Sequence, residues 1–183
     1  MAYRNGTYVA FHAGNTTNPT DSDIVYFNLL KAWKVRSEGN FEFIDSHDKN
    51  QAVRDSSKRE TLRRALVTRL LRSKHMILIV TDTTKKDTDW VPYEIRYAVD
   101  QCKIPIIAAY PGKGAIKQPR TLSTLWPQAL ATRIGDGSAH VIHVPFEQAP
   151  VADAISQFGP NKLPLGNGLG RYSDEAYESW GIR

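Results

Sequence analysis

Two uninterrupted apolar runs, HMILIV at 75–80 and IPIIAAY at 104–110, constrain the fold of this chain more than any other feature. A strand with one wet face alternates apolar and polar residues. A run that is apolar throughout must be covered on both faces, as inner strands of a parallel sheet are. The flanking segments supply the covers. TYVAFH at 7–12 is a short β-rich run, followed by the turn-forming loop GNTTNPTDSD and a helix with Tyr26, Leu29, Leu30 and Trp33 on one apolar face. FEFIDS at 41–46 reads as a second strand. The polar loop DKNQAVRDSSKRE ends in serines suited to a helix N-cap, and a helix over 59–72 then turns Leu62, Ala65, Leu66 and Leu70 inward. The stretch DTDWVPYEIRYAVDQC between the two apolar runs supplies a further helix. A PGKG turn, a helix near 122–132, the strand HVIHVPF at 140–146 and a helix at 151–158 follow.

Five strands alternating with helices imply right-handed crossovers and an α/β fold with helices on both faces of a parallel sheet. The expected architecture is a flavodoxin-like three-layer sandwich of strand order 2-1-3-4-5. It occupies residues 1–158, with the Gly- and Pro-rich residues 159–183 as a C-terminal extension whose aromatic end docks on the body. At 183 residues one core suffices.

No apolar run approaches the roughly 20 residues of a membrane span. The opening MAYRNGTYVAFHAG lacks the apolar stretch of a signal peptide, so the cytoplasm is the expected location. Cys102 is the only cysteine, which excludes an internal disulfide, and its place in the series Val91, Ile95, Ala98, Cys102 marks it as a small core residue. A net charge of +5 favours anionic partners without choosing among them.

In open α/β sheets ligands bind beyond the carboxyl ends of the strands, where strand order reverses. The order 2-1-3-4-5 places that crevice between the strands at 7–12 and 75–80. Their exit loops would bring Phe11, His12 and Asn15 towards Trp90, Tyr93 and Glu94, with Asp45, Ser46 and His47 from the second strand close by. Glu94 has two readings. Near a helix start behind Pro92 it gains about 0.3–1 kcal/mol from the dipole and free amides, and many glutamates do only that. It also borders the buried helix face beside Trp90 and Tyr93, where desolvation would raise its pKa and sharpen its effect on a nearby cation.

DWVPYEI, followed about ten residues later by KIPIIAAY, resembles the corresponding helix and strand of TIR domains that cleave NAD, in which a tryptophan sits four residues before the catalytic glutamate. Glu94 matches that glutamate. YVAFHAGN and GDGSAHVIHVPF more specifically resemble the TIR-like subunit of Thoeris antiphage defence systems, and the likeness runs over about residues 7–158. The loops depart from many TIR domains, which carry a serine and an aspartate after the first strand and an Arg-Asp-x-x-Pro-Gly loop after the second; here FHAGNTT and DSHDKNQAVRDS stand instead.

The resemblance implies an NAD glycohydrolase or ADP-ribosyl cyclase with NAD as substrate and no further cofactor. Its product would be a cyclic or modified ADP-ribose that signals to a separate effector protein, after a phage-derived trigger and with a neighbouring protomer in a homo-oligomer. Glu94 would steady the oxocarbenium-like transition state. Trp90 or Tyr93 would pack the nicotinamide riboside end, with Phe11 and His12 on the opposite wall. Two alternatives stand beside it, a non-catalytic TIR scaffold acting by assembly and a nucleoside deoxyribosyltransferase-like enzyme, which also uses a glutamate on such a sheet.

Other signals are weaker. His140 and His143 lie three apart on a strand and point to opposite faces, which argues against a metal pair. His12 and His47 end adjacent strands, where histidines are commonly structural. GNGLG has neither the preceding strand nor the following helix of a dinucleotide fingerprint, and GKGAIK lacks phosphate-loop spacing. The basic run KRETLRRALVTRLLRSK holds no aromatic residue for stacking on single strands, and reads better as a solvated helix face than as a nucleic-acid grip.

Overall fold

The computed structural model describes residues 4–14, 22–37, 41 and 56–183. Among them, four strands form one parallel sheet in the order β1-β2-β3-β4: β1 (Gly6–Ala10), β2 (Ser73–Ile79), β3 (Ile106–Tyr110) and β4 (Val141–Pro145). The register is continuous across the centre, with Met76 opposite Ile106 and Ile106 opposite Val141. The expected strand at 41–46 lies outside the described residues, apart from Phe41.

Strand alternation sorts the side chains into two cores. Tyr8, Ala10, Met76, Leu78, Val80, Ile106, Ala108, Tyr110 and Val141 face one layer, with α2 (Ser56–Arg72), α3 (Trp90–Arg96) and α4 (Gln128–Gly135) packed over them. Val9, Phe11, Ile77, Ile79, Ile107, Ala109, Ile142 and Val144 face the other, covered by α1 (Ile24–Arg36) and α5 (Gln148–Gln157). That two-sided burial is why Met76–Ile79 of β2 and Ile106–Ala109 of β3 contain no polar residue.

Several expected boundaries move. The first strand stops at Ala10, leaving Phe11 and His12 beyond its end. In α1 the inward residues are Phe27, Leu30 and Trp33; Tyr26 is half-buried and Leu29 is 41% exposed. The helix has apolar residues on more than one side, so a stripe through Leu29 fitted a helical period as well as the true one. In α2, Leu66 and Leu70 are buried as expected, with Leu62 packed at the margin of the core. The helix expected near 122–132 is two pieces, a 3-10 segment Pro119–Leu125 and α4 from Gln128. Pro127 separates them by holding Trp126 extended (φ −72°, ψ 134°) and by having no N–H to give a helix interior. The helix expected from 151 begins at Gln148, with Pro150 in its first turn, where a missing N–H costs little. After α3 the chain runs on through a π-helical turn, Tyr97–Cys102, and leaves it through Lys103 in the left-handed region (φ 55°).

In the segment beyond Gly159, Gly170 pairs with the outer edge of β4. Gly170 donates its N–H to Val141 O at 3.0 Å, and its own carbonyl accepts from His143 N at 2.9 Å. A Cβ at Gly170 would sit 2.6 Å from the Val141 carbonyl, so this close approach requires glycine. Buried side chains fasten the same segment. Trp126 Nε1 donates to Tyr110 Oη (2.8 Å), Tyr110 lies 2.7 Å from His143 Nδ1, and His143 Nε2 lies 2.9 Å from Gly168 O. The Gly168 carbonyl can only accept, so His143 carries its proton on Nε2, accepts from Tyr110 on Nδ1, and every donor in the chain is used. His75 bridges in the same way, from Phe158 O (2.8 Å) to Thr7 Oγ1 (2.6 Å). Burial holds both imidazoles down to about 4, so both are neutral. At the end, Ser173 caps α6 (Asp174–Ser179), Tyr172 meets Trp180 edge-on at 4.9 Å, and Ala115 N binds Arg183 O at 3.0 Å.

Candidate functional site

Because β1 and β2 are parallel neighbours, the residues after Ala10 and Ile79 leave the sheet on the same side. The loop after β2 is built on Asp23, which is buried at the start of α1. Its carboxylate accepts from Thr81 Oγ1 at 2.8 and 2.9 Å, with the Thr83 and Thr84 hydroxyls at 3.4 and 3.3 Å. Asp23 N donates to His12 O (2.9 Å), so the two strand exits are tied through one residue. Burial raises the Asp23 pKa even though the three threonines and the nearby His12 pull it down.

Asp87 ends this loop and starts α3. Its Oδ1 accepts from Asp89 N and Trp90 N, both at 2.9 Å, capping a helix whose first amides have no partner within the helix. Its Oδ2 lies 3.3 Å from His12 Nδ1. A carboxylate there favours the proton on Nδ1 and leaves Nε2 as an acceptor, the arrangement of an oriented base.

Glu94 points into the molecule. Only 2% exposed, it receives a hydrogen bond from Tyr8 Oη to Oε1 at 2.5 Å. Tyr8 comes from β1 and Glu94 from α3, so the bond crosses from sheet to helix inside the first core. Burial pushes the Glu94 carboxyl up to about 8; Tyr8 acts in the opposite direction, and the negative Asp87 adds to the rise. At neutral pH this carboxyl is mostly protonated. Among the described residues its hydrogen bond is to Tyr8 and not to the amides at the helix start, so its setting is that of a buried acid and not of a capping residue.

The other expected residues fall into three groups. His12 lies at the strand exits with Asp87. Phe11 is a core residue, stacked on Phe27 with ring centres 5.0 Å apart. Trp90 and Tyr93 are half-buried and carry α2 arginines over their rings, Arg59 at 5.5 Å and Arg63 at 5.2 Å. Arg59 also pairs with Asp89, so the aromatic side of α3 is held by α2. Asn15, Asp45, Ser46 and His47 lie outside the described residues. Among the described residues no group of His, Cys, Asp or Glu could hold a metal ion, and no helix is long and apolar enough to cross a membrane. Cys102 is buried with its thiol pKa raised by desolvation.

Tyr8, Asp23, Asp87 and the threonines were not anticipated from the sequence. Asp87, three residues before the first helical residue, carries a capping signal that could have found it. Tyr8 could be found only by knowing that α3 covers the same face as the even-numbered residues of β1.

A family model described as "Thoeris protein ThsB, TIR-like domain" matches residues 8–115, more than half of the 183-residue chain. The match spans β1 to the turn after β3, and so includes Tyr8, His12, Asp23, Asp87 and Glu94.

Proposed function

The chain belongs to the Thoeris ThsB TIR-like family, and from that premise we propose that it cleaves the nicotinamide–ribose bond of NAD with Glu94 as the catalytic residue. The observation that carries this reading is a carboxyl group screened from water and joined to Tyr8, its pKa raised further by the charge of Asp87, the residue that contacts His12.

Nicotinamide in NAD is a cationic pyridinium. When the bond breaks, its electron pair moves onto the ring and nicotinamide departs neutral, so the leaving group needs no proton. What needs help is the positive charge left on the ribose, and one ionised carboxylate in a low-dielectric site supplies it. Glu94 alone is mostly neutral at pH 7. A pyridinium placed beside it lowers its pKa, so binding the cationic substrate generates the charged form that the transition state requires. Water capture gives ADP-ribose and a proton; capture by a group of the same molecule gives a cyclic isomer, the form suited to a diffusible signal for an effector in antiphage defence. His12, Asn15, Asp45, Ser46 and His47 form the substrate-contacting set in this reading, with Trp90 and Tyr93 at the nicotinamide riboside end and Phe11 supporting the wall from the core. A fifth strand at 41–46 beside β1 would complete the order 2-1-3-4-5. Phe41 supports it, being buried in the second core and edge-on to Trp33 at 6.3 Å. Residues 1–158 then form the TIR-like domain and 159–183 its extension.

One observation favours a second reading, a TIR scaffold that works by assembly: the carboxyl is engaged by protein and almost wholly enclosed. Incubating the protein with NAD, with and without lysate of phage-infected cells, and following nicotinamide by chromatography separates them. The enzyme reading expects release that depends on Glu94; the scaffold reading expects none under any condition.

A further inference from the structure

We propose that Tyr8 is a positioning residue for Glu94: its hydroxyl fixes one carboxyl oxygen from the rigid sheet, so that the other is the oxygen presented to substrate. This rests on the NAD-cleaving reading and deepens it. Tyr8 is fully buried on β1, with neighbours Val9 and Ala10 in register with Ile77 and Leu78 of β2, so its ring cannot follow a moving loop. The Tyr8–Glu94 bond, 2.5 Å long, strengthens as the acceptor ionises. A glutamate has three rotatable bonds, and inside the core the bond to Tyr8 selects among its rotamers. One fixed oxygen removes most of that freedom before substrate arrives, and preorganisation of this kind favours the transition state.

The groups around the carboxyl define what else acts on it. The Asp87 carboxylate of the β2–α3 loop opposes its ionisation electrostatically, and the same carboxylate lies 3.3 Å from His12 Nδ1. The α2 cations Arg59 and Arg63 are directed at Trp90, Tyr93 and Asp89. Among the described residues Tyr8 is therefore the group that favours ionised Glu94.

Tyr8→Phe removes one oxygen and keeps the ring. The test titrates Glu94 by carboxyl-carbon NMR of glutamate-labelled protein, with Glu94→Gln to assign the resonance, and runs nicotinamide release against pH alongside. The expected result in Tyr8→Phe is a Glu94 midpoint about one pH unit higher. The acid limb of release should move with it. Near pH 7, kcat/KM should fall about tenfold and recover at higher pH. Should Tyr8→Phe fold poorly, 3-fluorotyrosine inserted at position 8 keeps the bond with a more acidic donor, and the midpoint should move down. A midpoint that stays put in both proteins overturns the inference, as does a midpoint that moves while the release profile does not. Wild-type protein that releases no nicotinamide at any pH, with or without infected-cell lysate, overturns the enzyme reading and the catalytic meaning of the bond. The carboxyl titration still decides whether Tyr8 governs Glu94.

Discussion

Replacing Glu94 with glutamine should stabilise the protein, and increasingly so as pH rises. In the unfolded chain this carboxyl titrates near 4.5; in the folded protein burial moves it to about 8. Between those values the folded state holds a proton that the unfolded state has released. The free energy of unfolding therefore falls by about 1.4 kcal/mol per pH unit from this group. Below 4.5 both states are protonated and nothing is lost; above about 8 the loss is complete, at roughly 5 kcal/mol. At pH 7 the loss is roughly 3 kcal/mol, a large part of a typical domain's stability. Glutamine has nearly the same shape, accepts from Tyr8 through its carbonyl and does not titrate. Urea unfolding of wild type and Glu94→Gln, followed by tryptophan fluorescence at pH 5, 7 and 9, reads the difference directly. Other titrating groups cancel between the two proteins. The expected outcome is near-equal stability at pH 5 and an advantage for the variant that grows by several kcal/mol towards pH 9. Parallel stability curves would show that the Glu94 carboxyl does not carry its raised pKa in the folded protein.

Acid should destabilise the protein through its buried histidines. His75 and His143 are held to about 4 against 6.5 when free, so their contribution is present above pH 6.5 and is lost as pH falls towards 4. A His143→Gln variant should lose about half of that pH slope in urea midpoints. Asp87→Ala should cost about 1–2 kcal/mol by uncapping α3, and should lower the Glu94 titration midpoint in carboxyl-carbon NMR by removing a nearby negative charge. Leu70→Ala, at a fully buried position between α2 and the sheet, should cost about 2–5 kcal/mol in the same denaturation assay.

What was legible in the sequence was what depends on burial alone. The runs at 75–80 and 104–110 became the two inner strands because hydrophobicity on both faces has few other solutions. Helix faces were legible where one stripe dominates, as with Leu66 and Leu70, and misleading in α1, where Leu29 and Phe27 compete. Pro127 was available to read as a break in the helix near 122–132, yet the surrounding apolar residues masked it. At the site, Glu94 stood out through its aromatic neighbours Trp90 and Tyr93 and through the likeness of DWVPYEI to NAD-cleaving TIR domains. Its partners did not. Tyr8 looks like any β-forming aromatic until the face covered by α3 is known, and Asp23 looks like any loop acid until the fold brings Thr81 to it across 58 residues of sequence.

In the proposed reaction Glu94 steadies positive charge on ribose as nicotinamide leaves. Nicotinamide release from NAD by purified wild type and Glu94→Gln, each alone and with lysate of phage-infected cells, measures it most directly. Release by wild type is expected, with a fall on the order of 100- to 1000-fold in a variant that is folded and no less stable. Equal release from the two proteins, or none from wild type under either condition, would contradict it.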